Sequence, residues 1–87
     1  MTVPQIISLL GYLVYFWADE GNEPVHVHVC KGHPTRNATK IWITTSGPEV
    51  ANNSSHIPQK DMKRILAWLA INKADVITRW FDFFGKV

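Results

Sequence analysis

The chain has 87 residues, 46% of them hydrophobic and 18% charged, a balance that excludes disorder and fits an ordinary globular protein. That length holds one core, so residues 1–87 are expected to form a single domain, and a formal charge of +2 is too small to announce a nucleic-acid binder. Cys30 is the only cysteine, which excludes an internal disulfide and fits a reducing compartment. The start, Met1-Thr2-Val3-Pro4-Gln5, lacks the pattern of a signal peptide, and no apolar run reaches membrane-spanning length. A cytoplasmic protein without membrane association is the expectation.

In chain order, Val3 to Leu10 is a short apolar stretch interrupted by Pro4 and ended by Gly11, which reads as an edge strand with a short helix as the alternative. Tyr12 to Trp17 is β-branched and aromatic and reads as a strand, followed by an acidic turn-rich loop from Asp19 to Pro24. Val25 to Cys30 alternates strictly. A strand period of two puts Val25, Val27 and Val29 on a core face and His26, His28 and Cys30 on the other. Lys31-Gly32-His33-Pro34 breaks that strand, and Thr39 to Thr45 resumes alternation with Ile41 and Ile43 on one side and Lys40 and Trp42 on the other. An antiparallel hairpin that joins the valines to the isoleucines brings Lys40 and Trp42 to the histidine face.

Ser46 to Ile57 reads as a loop, because Gly47, Pro48 and an Asn/Ser cluster fill it, and Pro58 suits the first turn of a helix. Met62, Ile65, Leu66 and Leu69 make one helical stripe; Val76, Ile77, Trp80, Phe81 and Phe84 make another. Asn72, with Asp75 three residues later, resembles a helix start and divides the helical region near Asn72, and Gly85 is a stop signal. Three or four strands followed by two helices define an α+β domain: an antiparallel sheet with both helices on one face.

Six of the nine basic residues lie after residue 50, against three acidic ones. A solvated helix face explains this bias, and a phosphate-contacting surface is the alternative.

The chemical signal lies in the third strand. Two histidines at i and i+2 project in parallel, about 7 Å apart at the backbone, and their rings can meet one ligand or divide acid and base roles. Alternation alone also produces polar strand faces, but here Glu20, Asn22 and Glu23 precede the pair and Lys40 and Trp42 border it. Cys30 shares the face without an evident orienting group, so it reads as a plain strand-end cysteine. His33 and His56 read as surface residues.

The phrase from Tyr15 to Val29, with Glu23-Pro24-Val25-His26-Val27-His28-Val29 at its end, resembles the small bacterial proteins of domain of unknown function 4160. Ala38-Thr39-Lys40-Ile41-Trp42 and the helical end carrying Lys63, Leu66, Asn72, Trp80, Phe83, Phe84 and Gly85 are similar to the same family. Cys30 departs from the family pattern, which speaks against a catalytic cysteine. The resemblance implies a toxin–antitoxin-type protein, with a small partner protein encoded by a neighbouring gene and RNA as a possible target.

Three functions follow as expectations. The first is metal-independent RNA cleavage, needing no cofactor, with His26 and His28 as base and acid, Lys40 stabilising phosphate charge, and Glu20, Asn22, Glu23 and Trp42 binding substrate. The second is a zinc or iron site built from His26, His28 and Glu23, with His56 as a further ligand. The third is a non-enzymatic docking module that uses the histidine and tryptophan face. All three place the histidines in an open groove on the helix-free side of the sheet.

Overall fold

The computed structural model describes residues 4–85, so Val3 of the first expected strand lies outside them. Five strands, β1 (Gln5–Leu9), β2 (Tyr12–Tyr15), β3 (His26–Lys31), β4 (Thr39–Thr44) and β5 (Gly47–Asn52), precede two helices, α1 (Gln59–Ile71) and α2 (Lys73–Phe84). Each strand pairs antiparallel with the next, giving one sheet in the order β1-β2-β3-β4-β5. The α+β class stands, but the sheet has five strands rather than three or four. The stretch expected as a loop from Ser46 contains β5, an edge strand that bonds only to β4 and shifts register beside Lys40 and Ile41. Edge strands tolerate Pro48 because one side of the backbone needs no partner, and the last four residues of β5 are exposed. Neither a hydrophobic alternation nor an unbroken run therefore marks β5.

β1 and β2 meet at a two-residue turn in which Leu10 and Gly11 both have positive φ, 55° and 83°. Two left-handed residues in that position match the twist of a hairpin. Glycine adopts the geometry freely, whereas leucine is strained in it by about 1–2 kcal/mol. Leu10 is about half exposed, so Leu10→Asn should raise stability by about 0.5–1 kcal/mol. A higher urea midpoint checks this, and a lower one would contradict the turn.

The alternation read from the sequence builds the core. Val14, Val27, Val29, Ile41 and Ile43 form one cluster with Met62, Ile65 and Leu69 of α1 and Val76 of α2. The helices thus cover the valine face. Tyr15, Cys30 and Ala38 form a second, smaller cluster on the other face, with Leu13 and Trp17 packed against it. Trp68, which falls off the Met62–Leu69 stripe of α1, is nevertheless half-buried against the main cluster.

The helical region divides at Asn72, as its sequence suggests, but Asn72 makes no side-chain cap for α2. Its side-chain amide and its backbone N–H both donate to the Trp68 carbonyl at 2.9 Å, closing the end of α1 instead. Gly85 ends α2 in the left-handed conformation, with its N–H donating to the Phe81 carbonyl. The last turns of α2 reach the rim of the sheet: the Trp80 ring lies 4.9 Å from that of Phe16 and 5.0 Å from that of His26.

Candidate functional site

His26 and His28 leave β3 on the face opposite Val27 and Val29. In the register with β4, Trp42 stands opposite His26 and Lys40 opposite His28, the hairpin expected from the sequence. The two imidazole rings are 5.1 Å apart at their centroids and nearly perpendicular.

The expected open groove is not there. His26 is fully buried and His28 is 4% exposed. The acidic loop between β2 and β3 takes two successive reverse turns, closed by Glu20 N–H to the Trp17 carbonyl and Glu23 N–H to the Glu20 carbonyl, both at 3.1 Å. These turns carry the Glu20 side chain to the histidines. A Cβ on Gly21 would stand 2.6 Å from Cδ1 of Phe84, so the loop can seat against α2 only because position 21 has no side chain. The His26 ring is further walled by Trp42, at 5.6 Å, and by Trp80.

Glu20 is the centre of the cluster. Its Oε2 lies 2.9 Å from Nε2 of His28, and its Oε1 lies 3.1 Å from Nε2 of His26 and accepts the Trp17 backbone N–H at 2.8 Å. Burial by itself would raise the Glu20 carboxyl. Donation from His28 and Trp17 and the positive charge available at both histidines outweigh it, so the group is held below its ordinary value. Nδ1 of His26 faces the Pro24 carbonyl at 3.0 Å. Two buried ring nitrogens, Nε2 of His26 and Nδ1 of His28, have no hydrogen-bond partner, and neither has the Trp17 indole N–H.

The remaining expected residues take other places. Glu23 lies outside the cluster and pairs with Lys40, whose ammonium also sits 4.3 Å from the Trp42 ring centroid. Arg36 repeats this arrangement, bonding both oxygens of Asp19 while lying 4.3 Å from the Trp17 ring centroid. That bidentate bond from Arg36 holds Asp19 below its ordinary pKa. Asn22 is exposed in the same loop, and His33 and His56 are exposed elsewhere. Among the described residues, the group able to hold a metal ion is Glu20, His26 and His28, whose ligand atoms all lie within 4.8 Å of one another. Glu20 therefore occupies the position that the sequence suggested for Glu23, and His56 is not part of it.

Cys30 has a structural setting. Its thiol is directed at the His33 carbonyl at 3.1 Å and at the Tyr15 hydroxyl. That hydroxyl donates to the Thr35 carbonyl and accepts the Thr35 N–H. Burial first, and then the Cys30 contact, push the Tyr15 phenol above its ordinary pKa. Together these groups tie the loop after β3 to the sheet.

A five-stranded antiparallel sheet with two C-terminal helices and a carboxylate clamped between two buried histidines defines a small α+β protein with one concentrated polar centre. The chain belongs to the family described as Domain of unknown function (DUF4160), whose model matches residues 11–81. No curated protein and no solved structure matches it.

Proposed function

We propose that this is a toxin–antitoxin-type bacterial protein whose functional centre is Glu20, His26 and His28, and whose substrate is an RNA phosphodiester. One observation carries the reading: in a domain of this size, two buried imidazoles converge on a half-buried carboxylate where packing alone would favour apolar side chains. Polar groups gathered under a loop at a cost in desolvation are the usual mark of a chemical site. The substrate class is supported by the neighbourhood, where Lys40 lies over Trp42 and Arg36 over Trp17. Cations beside aromatic faces suit a phosphate backbone and its stacking bases.

The centre meets solvent at Glu20 and His28, whose side chains are 12% and 6% exposed, and substrate approaches from that edge with the loop in place. A small protein encoded by a neighbouring gene is the partner that restrains the activity.

The test is growth on induced expression. His28→Ala, and the double variant His26→Ala with His28→Ala, should abolish growth inhibition in cells that accumulate folded protein, with folding confirmed by circular dichroism. Folded double variant that still arrests growth would remove the histidines from the function.

A further inference from the structure

The tautomer of His26 is set by what its ring touches. The Pro24 carbonyl can only accept, so the ring proton sits on Nδ1, 3.0 Å away. Nε2 is then directed at Oε1 of Glu20 at 3.1 Å, buried, and not in line for a hydrogen bond. A nitrogen lone pair and a carboxylate oxygen cannot face each other in a buried site unless positive charge lies on or between them. A second ring proton would supply it by making a fully buried imidazolium. A metal ion would supply it at a site shared with His28.

Three observations favour the ion. A histidine whose far nitrogen donates to a backbone carbonyl has the tautomer and the fixed ring of a metal ligand. One ligand atom from each of Glu20, His26 and His28 lies within 4.8 Å of the other two, so small side-chain adjustments bring them to the roughly 3.3 Å between ligand atoms bound tetrahedrally at about 2.0–2.1 Å. The Trp42 and Trp80 rings against His26 exclude water and hold it in place. Two imidazoles and one carboxylate form a ligand set for zinc or iron(II) that leaves a coordination position open.

We infer that Glu20, His26 and His28 bind one divalent transition-metal ion of the zinc or iron(II) class. The binding site stands on the geometry alone, and only its use rests on the RNA reading. There, water bound to the ion loses a proton to solvent, and its oxygen bonds to phosphorus. The bond from phosphorus to the leaving ribose oxygen breaks, and that oxygen takes a proton from solvent. In the ion-bound form the imidazoles are ligands, and the proton handling expected of them passes to the bound water.

The test uses the full chain without a histidine tag. Elemental analysis after dialysis against zinc, and visible absorption during cobalt(II) titration, should each give one ion per chain. Zinc at a hundredfold excess over Kd should raise Tm by about 10 °C or more. Glu20→Gln, which preserves shape at a partly exposed position, and His26→Ala should each weaken binding at least about 100-fold, whereas His33→Ala should leave it unchanged. Absence of stoichiometric ion, or unaltered cobalt binding by Glu20→Gln, overturns the site. A chain that binds the ion yet leaves RNA intact upholds the site and removes the RNA reading. RNA cleavage that survives complete chelation overturns the use of the ion in the reaction and keeps the RNA reading.

Discussion

Replacing Trp80 with alanine should cost the folded state about 3–5 kcal/mol, the range for truncating a large buried aromatic. Trp80 is 2% exposed, and its ring touches Phe16 after β2, His26 at the start of β3, and Phe84 in its own helix, which itself meets Phe16. It joins the end of α2 to the rim of the sheet and forms one wall of the histidine cluster. In a domain of this length each 1 kcal/mol moves Tm by about 4–8 °C, so the loss should exceed 12 °C. Total stabilities run only to about 5–15 kcal/mol, so this loss would take between about a fifth and all of the domain's stability. Urea unfolding of the variant measures this directly. A loss under about 1 kcal/mol would mean that the wall contributes little to the fold.

Glu20→Gln should lower the stability of the metal-free protein by about 1–3 kcal/mol at neutral pH, the range for a buried hydrogen bond to a charged group. His28 would keep a neutral acceptor, while His26 would lose the anion beside its buried Nε2. The pH dependence follows from the direction in which the carboxyl is displaced. The folded state holds Glu20 below its ordinary value of 4.5, so the unfolded chain binds this proton more readily. The stabilisation from Glu20 is complete above that ordinary value and is lost as pH falls through the lowered one. Wild type should therefore lose stability below about pH 4.5 more steeply than Glu20→Gln, with the remaining carboxyls contributing to both. Denaturant unfolding at several pH values between 2 and 7 compares the slopes. Identical slopes would show that the Glu20 carboxylate is not held by the histidines in the folded state.

Much of this arrangement was legible in the sequence because it follows from period alone. The alternation Val25 to Cys30 placed both histidines on one face, and the matching alternation at Ile41 and Ile43 put Lys40 and Trp42 beside them. The division at Asn72 and the stop at Gly85 were equally local. β5 was not legible, since Gly47 and Pro48 carry turn signals and an exposed edge strand has no hydrophobic face to reveal it. The burial of the histidines was not legible either. It depends on where the loop between β2 and β3 folds back, which is decided by the two turns at Trp17 and Glu20 and by the contact between Gly21 and a ring 63 positions later. Glu20 and Glu23 are both acidic and both near the strand. Only the turn geometry distinguishes the residue that reaches the histidines from the one that pairs with Lys40. A glycine within an acidic loop was the available signal, because a close approach by another element is one reason for a residue without a side chain.

Cleavage of total cellular RNA by purified protein, comparing wild type with Glu20→Gln, tests the central claim most directly. Asp75→Asn, an exposed change in α2, serves as the control. If Glu20, His26 and His28 form one functional centre, wild type and Asp75→Asn should degrade RNA at equal rates, and folded Glu20→Gln should be slower by at least about 100-fold. Equal cleavage by all three, or no cleavage by purified wild-type protein, would contradict it.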